Sequence, residues 1–292
     1  MAIFAKSRFI RASVSGLAAL LIGWIGSTPP SRAGEPVDLE LVIAVDVSFS
    51  VDEQEARLQR EGYIAAFLSP VVVNAIRSGY HAKIAVTYFE WAGMGYNRTV
   101  ADWTLIHDAA SARAFAETLA AASFGSARRT SLSEAIDFAK PRFEQNAYDG
   151  RRRVIDVSGD GANNWGRSVV QARDEAVAAG ITINGLPIVS DRPDRFSGPS
   201  NANLDAYYET CVIGGQSAFM VVAKGFEDFG QAIRKKLILE IAGATPADIA
   251  EATPVSARGL APPARRDPAF RLVAERPPIA CDQPWPGDYF MR

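Results

Sequence analysis

An unbroken apolar run over residues 41–45 gives way at Asp46 to an alternation of polar and apolar positions, Asp46-Val47-Ser48-Phe49-Ser50. A run of that kind is the pattern of a strand buried on both faces, as in a parallel sheet, and its first polar residue marks the carboxyl edge. Open α/β sheets bind their ligands at that edge. A helical pattern follows over residues 51–77, interrupted near Pro70, whose ring removes a backbone donor. Residues 83–90 alternate as a second strand, and residues 99–106 as a third, antiparallel to the second across the turn region 93–97. Helices are predicted at 109–122 and 131–146, the latter with Leu132, Ala135, Ile136 and Ala139 on one face. Residues 154–157 read as a strand that ends in the turn Ser158-Gly159-Asp160-Gly161. Then come a helix over 168–179, strands over 181–188 and 218–222, and a closing helix over 226–241. This order predicts an α/β fold, a doubly wound and mostly parallel central sheet flanked by helices, with one antiparallel edge strand.

The chemistry sits at the predicted strand ends. Asp46, Ser48 and Ser50 alternate with Val47 and Phe49 and so turn three oxygens toward one point. Thr130 precedes a predicted helix and Asp160 follows a predicted strand, each at the same sheet edge. Oxygen-only donors of this kind suit a small hard cation such as Mg²⁺, which takes near-octahedral oxygen ligands at about 2.0–2.1 Å. The plain alternatives are turn residues bonded to nearby backbone and, for Thr130, a helix cap four residues before Glu134.

In these residues the chain resembles the von Willebrand factor A domain family, whose metal-ion-dependent adhesion site is DxSxS, a distant Thr and a distant Asp. Asp46, Ser48, Ser50, Thr130 and Asp160 match the five positions in order. The resemblance covers residues 39–241 or so, and more narrowly is to exported bacterial A-like domains of unassigned function. It implies direct ligation by Ser48, Ser50 and Thr130, with Asp46 and Asp160 direct or water-bridged, around Mg²⁺ (or Mn²⁺ or Ca²⁺). It also implies an acidic side chain of a partner protein completing the shell. One departure is visible: Arg128 and Arg129 stand where many family members carry small residues.

Composition narrows the setting. Residues 1–33 carry Lys6, Arg8, Arg11, an apolar stretch over 14–25 and Ser31-Arg32-Ala33, the layout of a secretory leader. That stretch is short of the roughly 18 apolar residues a membrane span needs. The leader holds four of the 31 Lys and Arg and none of the 33 Asp and Glu, so the remainder is acidic at a net −6. With an acidic net balance and only short basic runs such as Arg128-Arg129 and residues 151–153, nucleic acid is disfavoured as a partner. Cys211 and Cys281 are the two cysteines, and export allows them to pair. Such a bridge restricts the unfolded chain by about 4 kcal/mol in the entropy model. The domain is expected over 38–242. Residues 243–292 form a tail with eight prolines between Pro254 and Pro286, and Trp285 and Tyr289 near its end suggest that it docks on a surface.

These readings converge on an exported, metal-dependent protein-recognition module. Glu90, Trp91, Arg128, Arg129, Asn163 and Asn164 are candidates for the ligand rim, with Trp165 beside them. The rival is a metal-assisted hydrolase, for which Glu90 is the one candidate base. His81 and His107 stand alone, and no GxSxG, P-loop or GxGxxG occurs. A structural domain with a degenerate site is the third reading.

Overall fold

The computed structural model describes residues 34–189, 203–248 and 279–281. The leader and the Trp285–Tyr289 part of the tail lie outside them. The elements run β1 (Glu35–Val37), β2 (Glu40–Asp46), α1 (Glu53–Phe67), α2 (Pro70–Arg77), β3 (Ile84–Trp91), β4 (Asn97–Ile106), α3 (Ala109–Ala121) and α4 (Leu132–Ala139). They continue with β5 (Tyr148–Gly150), β6 (Arg153–Gly159), α5 (Val169–Ala178), β7 (Thr182–Val189), α6 (Leu204–Tyr207), β8 (Ala223–Lys224) and α7 (Phe229–Ala242).

Strand β2 is buried along its whole length, as its apolar run requires. It lies inside a six-stranded sheet of order β4-β3-β2-β6-β7-β8, in which β4 is antiparallel and the other pairings are parallel. Side chains alternate across it. Leu41, Ile43 and Val45 face a core shared with α1, α2, α3 and α7, while Val42 and Ala44 face one shared with α4, α5 and the 204–212 segment. From β2 the chain winds first toward β3 and later toward β6. The carboxyl end of β2 is therefore the point where winding reverses, the place at which open sheets of this kind bind their ligands.

Three departures from the sequence pattern have physical causes. The helix expected over 131–146 stops at Ala139 and tightens into a 3₁₀ turn, Lys140–Phe143, where Pro141 cannot donate to a helical ladder. The strand expected over 218–222 does not form, and only the two-residue β8 follows just beyond it. Gly214 and Met220 each bridge to β7 separately, so no continuous ladder forms. The parallel pair β1 and β5 and the helical turn α6, which continues into a π-helical turn at Tyr208–Val212, are too short for a periodic signal. A disulfide joins Cys211 in that turn to Cys281, and Ile279 and Cys281 pack against the second core. No helix among the described residues is long and apolar enough to cross a membrane.

Candidate metal centre

Beyond the end of β2 the backbone changes partners. Val47 N–H donates to Trp91 O at 2.9 Å, while Val47 O accepts from Ala127 N–H, so the 122–131 loop is drawn beside the strand end. Ser48 N–H donates to Asp46 Oδ1 at 2.7 Å, a local turn that carries the next two hydroxyls over the edge. Asp52 then caps α1 in a reciprocal box with Glu55, which keeps the intervening loop short. From these constraints follows a chain of oxygens. Thr130 Oγ1 donates to Ser48 Oγ at 3.4 Å, Ser48 Oγ and Ser50 Oγ are 3.0 Å apart, and Ser50 Oγ donates to Asp160 Oδ1 at 2.8 Å. Asp46 Oδ2 is buried beside this chain with no hydrogen-bond partner in the protein.

The helix cap at α4 belongs to Ser131, whose side chain accepts from Glu134 N–H. Thr130 is thereby released to point its hydroxyl at Ser48. The asparagines of the 160–168 loop hold this arrangement from behind. Asn164 Oδ1 accepts from Thr130 N–H at 2.9 Å, and Asn163 Oδ1 accepts from Ser133 N–H at 3.1 Å. Gly166, at φ +82°, approaches so closely that a Cβ would lie 2.8 Å from Ser131 Oγ.

Electrostatically the site is short of positive charge. Burial, followed by the facing Asp160 carboxylate, pushes the Asp46 carboxyl well above the usual range, and the Ser48 N–H only partly offsets this. No ion pair to Asp46 occurs among the described residues. A divalent cation relieves both costs at once, by supplying opposite charge and by occupying the orphaned oxygen. Two carboxylates and three hydroxyls are also the hard-oxygen donors that Mg²⁺, Mn²⁺ or Ca²⁺ prefers. The residues present fit such an ion.

The rim differs from the sequence reading in part. Glu90 is 2 % exposed and points to the opposite face of the sheet, where Arg60 and Arg98 clamp its two oxygens. Trp91 is fully buried in the second core, and Asn163 and Asn164 are braces. Arg128 does lie at the mouth, its guanidinium 5.7 Å from the centre of the Phe49 ring, and Arg129 stands 5.8 Å from the Trp165 ring. Phe49, Met94 and Trp165 are exposed at 46 %, 63 % and 41 %. They extend from three different loops that meet here, since Gly93 N–H donates to Arg129 O and Ser131 Oγ donates to Trp165 O.

Four further residues reach the site, three of them without a readable signal. Gln59 of α1 donates to Asp46 O, Tyr207 Oη accepts from Asn163 N–H, and Tyr208 approaches Gly159 next to Asp46. Gly159 alone had a cue, as the glycine that closes a strand before a carboxylate.

The fold is a doubly wound sheet of the von Willebrand factor A-like kind, and these five side chains lie at its carboxyl edge. A family model described as "Protein of unknown function (DUF1194)" matches residues 36–245. No curated protein matches the chain. Among solved structures, the pilus adhesin SpaC of Lactobacillus rhamnosus GG is similar at 14 % identity and a TM-score of 0.51, over 71 % of this chain and 30 % of the adhesin. A looser overlay reaches the structure of PTMP1 of the mussel byssus with zinc-occupied MIDAS motif (12 % identity, 72 % and 46 % covered, TM-score 0.47). Another reaches a von Willebrand factor type A protein of Catenulispora acidiphila (13 %, 70 % and 43 %, TM-score 0.45). The chain thus spans under a third of the adhesin's length, and these likenesses concern the fold alone.

Proposed function

We propose that this chain, which belongs to the DUF1194 family of proteins of unknown function, is an exported recognition module that binds an acidic group of a partner protein through a divalent cation. The observation that carries the reading is the orphaned, buried Asp46 Oδ2 beside the Thr130–Ser48–Ser50–Asp160 oxygen chain. Ser48, Ser50 and Thr130 would hold the ion, with Asp46 and Asp160 direct or through water. Two carboxylates and three neutral hydroxyls balance a dication without crowding it with negative charge, so a bound ion keeps its attraction for an external carboxylate.

Ser50 and Asp160 are the half-buried members of the set, and a visiting group approaches from their side. Around them Arg128 and Arg129 add positive charge, effective within about 10 Å at ordinary salt. Phe49, Met94 and Trp165 offer apolar surface, and aromatic residues of this kind anchor protein interfaces. The hydrolase reading lacks a base, because Glu90 is held under the sheet edge by two arginines. The leader pattern of residues 1–33 and the Cys211–Cys281 disulfide support export.

Calorimetric titration with Mg²⁺, Mn²⁺ and Ca²⁺ tests the ion. Heat of binding is expected for the wild type and lost in Asp46→Ala and Ser48→Ala, whose circular dichroism stays native. Wild type that binds none of the three ions would sink the reading. A chelator-sensitive partner captured from the envelope fraction by wild type and not by Asp46→Ala then tests recognition.

A further inference from the structure

We propose that Tyr208 is a positioning residue of this site, its phenolic hydroxyl orienting the Asp46 carboxylate, and that the Cys211–Cys281 disulfide keeps it there. The inference rests on the cation-binding reading above. Tyr208 is fully buried and its Oη has no hydrogen-bond partner in the protein, which is also the condition of Asp46 Oδ2. The two atoms flank the same glycine: a Cβ added at Gly159 would lie 2.9 Å from each. A phenol donates and an ionised carboxylate accepts, and because the two atoms are not in direct hydrogen-bond contact, a single water between them satisfies both orphans.

The backbone around Tyr208 is built for that approach. It sits at the start of the π-helical turn Tyr208–Val212, closed by Ile213 N–H donating to Tyr208 O at 2.9 Å. Such widened turns are rare and cluster at functional sites. Gly185 of β7 clears the way for the ring, since a Cβ there would stand 2.8 Å from Tyr208 Cδ1. The preceding residue braces the same centre, with Tyr207 Oη accepting from Asn163 N–H at 3.3 Å. Cys211, in the same turn, is bonded to Cys281, so the C-terminal segment is stapled to the element that carries both tyrosines. A ring needed only for packing would require no hydroxyl, and this separates a positioning role from a structural one.

The test is Mn²⁺ calorimetry together with the thermal midpoint of the cation-free chain, on wild type, Tyr208→Phe, the double variant Cys211→Ser/Cys281→Ser, and the triple combination. Tyr208→Phe is expected to keep or raise the midpoint, because an orphaned hydroxyl is removed, and to weaken Mn²⁺ about tenfold, as loss of a residue behind a metal ligand does. In the double-serine background the same change costs less, since the hydroxyl is already displaced. Affinity within twofold of wild type in Tyr208→Phe overturns the role of the hydroxyl, and an equal loss in both backgrounds overturns the role of the disulfide. Wild type that takes up no Mn²⁺ removes the cation reading and this inference together, an outcome distinct from either of those.

Discussion

Two carboxylates one register step apart at the same sheet edge have opposite fates. Glu90 of β3 pairs across the ladder with Val45, and Asp46 of β2 pairs with Trp91, so the two side chains leave the sheet on opposite faces. Glu90 finds Arg60 from α1 and Arg98 from β4, with Phe124 stacked 3.9 Å from the Arg60 guanidinium. Asp46 finds a backbone N–H, three hydroxyls nearby and a second carboxylate. A buried carboxylate provided with its own guanidinium is a structural ion pair, whereas one left facing another carboxylate is stable as an anion only when a cation arrives from outside. The difference between a brace and a binding site lies in which helix face packs over each strand.

The sharpest way to break that comparison is to truncate both. Glu90→Ala leaves Arg60, 3 % exposed, without a carboxylate and is expected to cost about 3–5 kcal/mol in urea denaturation. Asp46→Ala in cation-free buffer should cost less than about 1 kcal/mol, because it removes an unpaired group along with one accepted hydrogen bond. With cation at 100 times its Kd, the wild type gains about 2.7 kcal/mol that the Asp46 variant does not. If Asp46→Ala were as damaging as Glu90→Ala without any ion, the distinction between the two sites would fail.

A third buried carboxylate sharpens the comparison through pH. Asp156 of β6 shares Lys236 with Glu240, and burial, then Glu240, raise its pKa from the ordinary 3.8 to about 7, with Lys236 pulling the other way. A carboxyl raised in the folded state holds its proton more tightly there than in the unfolded chain. Its contribution to stability is therefore fully present below the unfolded value and is lost as pH rises through the folded one. Stability measured by urea denaturation should decline between about pH 4 and 7, and Asp156→Asn should flatten that slope. A slope unchanged by the substitution would assign the titration to other groups.

The smallest expected effect is at the mouth. Phe49→Ala should alter stability by less than about 0.5 kcal/mol and leave Mn²⁺ affinity unchanged, while reducing capture of a chelator-sensitive partner. Loss of cation affinity instead would place Phe49 among the groups that shape the ion site.

Much of this was legible along the chain. The apolar run into Asp46 placed the central strand and its carboxyl edge, and spacing alone brought Ser48 and Ser50 to the same side. Pro70 marked the division between α1 and α2. The rim was legible only in part, because Glu90 and Trp91 alternate along one strand and their faces depend on what covers each. Nothing in the order of residues said that α1 would deliver Arg60 to Glu90, or that Ser131 rather than Thr130 would cap α4. Tyr207 and Tyr208 fell in a four-residue helix and a π-helical turn, too short to carry a period.

Local pattern settled where the long buried strands run and which residue types reach the sheet edge, because pleat and hydrophobic alternation act over a few neighbouring positions. Tertiary packing decided which of those residues meet. Thr130 and Asp160 approach Ser48 and Ser50 only because β6 lies against β2 and the 122–131 loop is drawn to the strand end. The same packing gave Glu90 its arginines and Asp46 none, since a charge is neutralised by whatever the fold brings within a few ångströms, however distant in the chain.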